Sequence, residues 1–400
     1  MSDRALTIYC GLLLAIAAFS IDITLPFFAD IREAMDATPG STHAIVTLNI
    51  ISLGIGQLFF GTFSDRFGRR PTIRIGLGIY LLGTLLALLA TSMPVLLAAR
   101  VLQGLGASAA PVTARAIIRD RFQGKRLAQE MALASGIFSL GPILAPLSGV
   151  ALVAVGGHWR LIFVAMAAAA IGLLFALKRV PETLARPQMD AASPRRLLAN
   201  ARQVLGHPQS RYFLLLSGWV MTLIVTIIAN MPLVMEQTWG ITGAWFAILF
   251  AIHGVGIIIG QTLNHRLIHR IGPVASAAWA ATLMTATFAT LGGLHLAGLL
   301  TGVGLAVGLF VFAIGYLIVY SNAASMTLEP QGSIAGFTAA FFGFFGQVLA
   351  PSLATIGIAF AGGDAGRFVL VLLVVSSLTL TALLIWPRLA ARASDQATQA

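Results

Sequence analysis

The stretch GTFSDRFGRRPTIR, residues 61–74, decides how this chain is read. It carries five charges, Asp65, Arg66, Arg69, Arg70 and Arg74, in a chain of 400 residues of which only 10% are charged. Long apolar runs flank it on both sides. Three readings compete: a basic patch for nucleic acid, a phosphate-binding loop, or a polar turn between two membrane spans. Its glycines lack the G-x-x-x-x-G-K-[ST] spacing that cradles phosphates, which excludes the loop. The rest of the chain separates the other two.

Hydrophobic residues make up 58% of the chain, and its mean hydropathy is +0.90. A soluble domain is about 45–50% apolar and about 25% charged. Lipid, not water, is therefore the main solvent. The single cysteine, Cys10, excludes an internal disulfide and any multi-cysteine metal site. The histidines are scattered and no H-E-x-x-H motif occurs, so neither a metal nor a cofactor is expected. The net charge of +11 leaves nucleic acid and anionic lipid as candidate partners. Residues 5–29 open the chain with an apolar run that passes Pro26 without a small-residue cleavage site. That reads as a retained first span rather than a signal peptide.

A helix crossing the hydrocarbon needs about 20 mostly apolar residues. Windows of that length fall near 6–28, 44–63, 74–92, 95–118, 129–155 and 159–177, then near 212–232, 243–264, 274–292, 297–325, 333–359 and 367–387. The runs are long and do not alternate, so helices are expected and strands are not. With the N-terminus placed in the cytoplasm, twenty of the 25 basic residues fall in inner segments. Only Arg32, Arg160 and Arg367 fall outside, while Arg100 and Arg115 lie within a span. The outer loops collect Asp30, Glu33, Asp36, Glu236 and Asp364 instead. The positive-inside rule predicts this asymmetry. It also accounts for the net charge without nucleic acid, for which no soluble face of sufficient size exists.

The longest polar stretch, 178–211, carries Pro181, Pro187, Pro194 and Pro208 and divides the spans six and six. The expected organisation is a first bundle over 1–177, a cytoplasmic linker over 178–211, and a second bundle with a short cytoplasmic tail over 212–400. The halves echo each other. GQLFFGTFSDRFG (56–68) lies on GQTLNHRLIHRIG (260–272) with a shift of 204 residues, which places Asp65 on His269. LAP at 144–146 and at 349–351 repeats with a shift of 205. Internal repeats of this kind mark transporters.

Several motifs now carry a resemblance. GTFSDRFGRRP resembles the loop between spans two and three of the major facilitator superfamily, of the form G-x-x-x-D-R-x-G-R-R/K. RVLQGLGAS (100–108) resembles that family's fourth-span motif. GPILAPLSG (141–149) is similar to its fifth-span antiporter motif. IDITLP (21–26), with Arg119–Asp120, is similar to the Bcr/CflA drug-resistance branch of drug:proton antiporters. The resemblance covers essentially the whole chain. It implies an all-α fold of twelve transmembrane helices in two pseudo-symmetric six-helix bundles.

Asp22 is the only acid inside the hydrocarbon on this map. An ionised carboxylate is costly there, which suits a group that takes and releases a proton. Asp22 lies roughly 24 Å along span one, and Arg100 lies about 7 Å into span four from the outside. The depths agree, so a pairing broken by protonation is expected. Asp22 at a solvated cavity mouth, or capping a helix, is the alternative. Arg100 has an alternative role in holding helices together, and Arg115 can snorkel to the inner surface. The resemblance implies proton coupling by the first-span acid. It also implies a latch between the halves built on Gly61, Asp65, Arg66, Gly68, Arg69 and Arg70, although these arginines can equally serve only to fix topology. Gly141, Pro142, Pro146 and Gly149 are expected to bend span five as a gate. Trp219, Tyr316, Tyr320, Asn322, Phe341 and Phe345, with Asp22 and Arg115, are candidates for a substrate cavity of apolar walls and few polar groups.

These readings point to a monomeric secondary transporter in a bacterial cytoplasmic membrane, with both termini inside. It is expected to exchange protons for small amphipathic drugs or metabolites outward. A proton-coupled importer on the same fold is the first alternative, and a non-transporting membrane sensor or enzyme is the second. No catalytic constellation is visible in the sequence, so an enzyme is not expected.

Overall fold

In a bilayer every backbone N–H and C=O needs an internal partner, and helices supply it. The computed structural model is helical accordingly, with no strand among the described residues, which are 1–185 and 193–399. The linker residues Arg186 and Pro187 lie outside them, as does the side chain of Arg392 in the expected tail. Eleven helical stretches are long and apolar enough to cross a membrane, and Leu161–Leu177 is a shorter apolar helix of 17 residues. That length is at the lower end of what spans. Together they make the expected twelve.

The first half runs α1 (Asp3–Asp22), a 3₁₀ turn (Leu25–Phe27), α2 (Phe28–Ala34), α3 (Pro39–Phe67), α4 (Arg69–Leu88), α5 (Met93–Ala107), α6 (Ala109–Arg121), α7 (Gly124–Ser139), α8 (Gly141–Gly156) and α9 (Leu161–Leu177). The linker is not all irregular, because it holds α10 (Pro194–Gly206). The second half runs α11 (Pro208–Trp239), α12 (Gly243–Ile271), α13 (Pro273–Leu296), α14 (Gly302–Leu328), α15 (Ala335–Ala361) and α16 (Ala365–Gln399). Most helices overrun their apolar windows because polar ends keep helical geometry in the headgroup region. Thus α11 starts four residues before its window, and α16 continues through the expected tail.

Spans one, four and five are each broken, and the sequence shows why. Pro26 follows the end of α1 and starts the 3₁₀ turn. Ser108 separates α5 from α6, three residues before Pro111. Leu140 separates α7 from α8, with Pro142 in the first turn of α8. Proline cannot donate to the preceding turn, so each break falls just upstream of one.

The duplication is visible in the backbone. α3 and α12 are both 29 residues long, and their ends differ by 204. Each closes on a glycine with positive φ, Gly68 at 104° and Gly272 at 78°, which lets the chain reverse directly into the next helix. Gly56 and Gly260, also 204 apart, do equivalent work. A Cβ on Gly56 would strike Ser108, and one on Gly260 would meet the α14 backbone at Ile314 2.5 Å away. Close helix contacts in lipid are built on such small residues.

The halves meet along two seams, α3 against α15 and α8 against α12, and again at the outer rim where α2 and α3 reach α11. Large apolar side chains such as Leu82 (65% exposed) and Phe175 (62% exposed) lie on the outside. An uncovered apolar girdle of this kind fits lipid rather than water.

Candidate functional site

Arg100 is wholly buried in the first half. Its Nε donates to the Ile45 carbonyl at 3.1 Å, and its Nη1 donates to Gln103 Oε1 at 2.7 Å and to Ser20 Oγ at 3.5 Å. Gln103 Nε2 passes the chain on to Thr84 Oγ1 at 2.9 Å, and Asn49 Nδ2 donates to the Arg100 carbonyl at 3.0 Å. One guanidinium thus ties α1, α3 and α5, and through Gln103 it reaches α4. Only Nη2 lacks a partner.

Asp22 is 4% exposed but takes no part in this cluster, and no described cation lies within 4.0 Å of it. The expected Asp22–Arg100 pair is not formed. Depth along the membrane was matched, but direction around the helix was not. Ser20, two residues before Asp22, faces Arg100, and two residues turn an α-helix by about 200°. Asp22 therefore ends α1 as an acid without a counter-ion.

At the arginine-rich end of the bundle Arg69 Nη1 donates to Asp65 Oδ1 at 2.6 Å and to Ser64 Oγ at 2.9 Å, while Nε donates to Asp120 Oδ2 at 2.9 Å. Glu182 accepts from the backbone N–H groups of Arg69 at 2.9 Å and Arg70 at 3.0 Å, and so caps the start of α4. Asp65 and Arg69 do meet, but every one of these partners belongs to the first half or its exit. Gly61 lies beside Val112 of α6 and Ala340 of α15. Arg66 rests on Phe67, 5.0 Å from the ring centre.

The contacts between halves come from other residues. Gln57 Nε2 donates to Gln347 Oε1 at 3.3 Å across the α3–α15 seam. Ser139 Oγ donates to Gln261 Oε1 at 3.4 Å between α7 and α12. Gln57 and Gln261 are the repeat positions 204 apart. At the opposite rim Arg32 holds Glu236 with both guanidinium nitrogens, Nη1 at 3.1 Å from Oε2. This clasp was missed because both residues were read only as topology charges. They too are 204 residues apart.

Reversing one charge of the clasp, R32E or E236R, is expected to favour outward opening about fivefold, as for a partly exposed pair worth about 1 kcal/mol. The double reversal should restore the starting population. Spin labels at Asp36 and Ile241, read by pulsed electron resonance, report the rim distance. Equal widening in the double reversal would show that the pair does not hold the rim.

Glu182 lies outside the spans and gives a second expectation. Partial burial raises its carboxyl, but four backbone N–H donors more than offset this, so it sits below the ordinary value of 4.5. Its stabilisation is therefore complete above about pH 4.5 and fades as pH falls toward the lower folded value. Glu182→Gln should lower the melting temperature at pH 7 and narrow its difference from the parent protein on acidification below about pH 4.5. A constant difference across that range would contradict it.

In span five, Gly149 lets α8 close on the first span, since a Cβ there would sit 2.9 Å from Ile23 Cγ1 and 3.2 Å from Phe27. A Cβ on Gly141 would lie 3.5 Å from Ala18, and Pro142 and Ile143 pack on Gly254 of α12. Pro146 lies inside α8.

The proposed cavity residues divide. Trp219 turns to α16, where its Nε1 donates to the Val375 carbonyl at 3.2 Å. Asn322 is buried and donates to Asn264 Oδ1 at 2.9 Å between α14 and α12. Both act in packing within the second half rather than as cavity walls. Tyr316 stacks on Tyr320 at 5.8 Å between ring centres, and Tyr320 meets Phe342 at 5.2 Å. Phe341 and Phe345 lie in the α15 cluster beside them. Arg115 is exposed on α6.

Comparison with known proteins places this architecture. The chain is 31% identical over 243 residues to Multidrug resistance protein D of Escherichia coli, covering 60% of each chain. It is 28% identical over 344 residues to a Bicyclomycin resistance protein homolog of Haemophilus influenzae, covering 82% of each. The solved structure of a D-xylose-proton symporter superposes with a TM-score of 0.78 at 13% identity, over 96% of this chain and 97% of that one. The profile described as Major Facilitator Superfamily matches residues 10–355. With its helical halves, the arginine-rich loop between α3 and α4 and this match over most of its length, the chain belongs to the Major Facilitator Superfamily of transporters.

Proposed function

We propose that this protein exports small amphipathic compounds in exchange for protons, by alternating access between its two halves. The observation that carries the reading is Asp22, an acid inside the bundle with no described cation beside it. Burial without a counter-ion favours the neutral acid, so such a group takes up a proton readily and releases it when its surroundings open to water. The drug-resistance names of the two sequence relatives support an outward direction and a drug-like cargo. The halves are taken as 1–177 and 212–400 with the linker 178–211 between them, both termini lie in the cytoplasm, and the membrane is the bacterial inner membrane. One chain suffices, because both halves of the rocking unit are in it. Asp65, Arg69, Asp120 and Glu182 set the stiffness of the inner joint, while Gln57, Gln261 and the Arg32–Glu236 clasp meet and part between states.

The test is transport in inside-out vesicles with an acidic lumen, using a panel of radiolabelled amphipathic antibiotics. Export predicts accumulation in the lumen that collapses when an ionophore removes the pH gradient. Accumulation only with the opposite gradient would assign import, and none with either gradient would remove the proton-coupled reading.

A further inference from the structure

Arg115 is a charge without a partner. It lies six residues from the inner end of α6, about 9 Å along the helix. Its guanidinium makes no hydrogen bond and has no carboxylate within 4.0 Å among the described residues. The nearby acids are already engaged. Asp3 holds Arg121 and Arg126, Asp65 and Asp120 hold Arg69, Glu130 holds Thr7, and Glu329 takes Gln209.

Snorkelling to the lipid surface does not explain it. α6 is packed by α1, α3, α4, α5 and α7, and three residues before Arg115 its Val112 comes beside Gly61 together with Ala340 of α15 in the second half. Arg119, one turn on, reaches Gly336 of α15, with Nη1 3.3 Å from where a Cβ would stand. Tyr320 of α14 borders the same gap between α6 and α15, since its ring packs on Phe342 of α15 and stacks on Tyr316, and its hydroxyl makes no hydrogen bond among the described residues. A cation and a free hydroxyl thus border one gap beside an aromatic shelf. Arg115 is exposed toward this gap, and an ionisable residue within a span that lines a cavity marks a functional group by default. Its planar fork fits a carboxylate oxygen pair better than any neutral group.

We infer that Arg115 and Tyr320 form the acid-recognition end of the substrate cavity, so that the preferred cargo is an amphipathic organic acid. Its carboxylate meets Arg115 and its apolar body lies along Tyr320 and Tyr316. This rests on the export reading for the word cargo, but the binding itself does not depend on it.

The test is equilibrium binding of para-butylbenzoate and its amide to the purified protein in phosphatidylcholine nanodiscs. The acid should bind at least about tenfold tighter than the amide. R115M should remove that preference while leaving amide affinity within about twofold, and R115K should keep part of it. Thermal melting of each variant checks that it is folded. If R115M does not fold, Y320F with R115K supplies the same comparison, with a reduced preference expected. Equal binding of acid and amide, or binding of neither, overturns the inference. So does an acid preference that disappears when one third of the lipid is phosphatidylglycerol, since the site would then hold lipid headgroups. Proton-driven flux is scored separately. Flux without acid preference sinks this inference alone, and acid preference without flux sinks the export reading alone.

Discussion

Asp22→Asn reduces pH-gradient-driven transport by at least about 100-fold while the protein stays folded, the size of effect expected when a positioned proton carrier is lost. The asparagine amide has nearly the shape of a protonated carboxyl but cannot release a proton. Since Asp22 is 4% exposed and no described cation lies within 4.0 Å, the substitution breaks no ion pair. Removing an ionisable group from such a place relieves a desolvation cost. The melting temperature of the variant should therefore equal or exceed that of the parent protein. Exchange of labelled for unlabelled substrate with no gradient should persist, because rocking of the halves needs only a neutral group at that site. Asp22→Glu should retain part of the driven flux. Full gradient-driven accumulation by the asparagine variant in proteoliposomes would show that the proton travels elsewhere.

Arg100→Met acts on stability. The guanidinium serves the Ile45 carbonyl, Gln103 and Ser20; on its removal Gln103 Oε1 and Ser20 Oγ lose this donor, while the Ile45 carbonyl keeps its helical bond within α3. Bonds to a charged group are worth about 1.5–3 kcal/mol each, and part of this is recovered when the buried charge itself goes. The expected net loss is on the order of 3 kcal/mol. Arg100→Lys should lose about half as much, since one ammonium cannot reproduce the fork. Reversible unfolding in mixed micelles measures both. Transport per folded molecule then separates tying from coupling. If Arg100 only ties helices, the folded fraction of the methionine variant keeps its proton dependence. A variant as stable as the parent would mean that water or neighbours replace the guanidinium.

The fold was legible because lipid imposes length and apolarity on each span, and because the arginines mark the inner side. The ends of the helices were less legible, since hydropathy falls off before helical geometry does, as at Pro208 and past the window of α16. The site was half legible. A charge in an apolar run announces itself, which is how Asp22, Arg100 and Arg115 stood out. The direction in which it points does not, and Ser20 rather than Asp22 faces Arg100 for that reason. Trp219 and Asn322 looked like cavity walls by residue type, but each donates its N–H within the second half, to the Val375 carbonyl and to Asn264 Oδ1. Glu182 carried a signal, an acid directly after Pro181 in a basic stretch, that was not used. So did Arg32 and Glu236, because the 204-residue shift that aligned Gln57 with Gln261 also aligns these two.

That last coincidence reaches further back than the present chain. Residues related by a pseudo-twofold axis touch each other only at the axis itself. In a symmetric pair of identical six-helix subunits the same residue would occupy both sides of that contact, and two arginines or two glutamates would repel. An arginine facing a glutamate there requires two copies of the sequence free to diverge. The clasp therefore belongs to the diverged halves, and a symmetric pair of identical halves would have to close that face by some other contact.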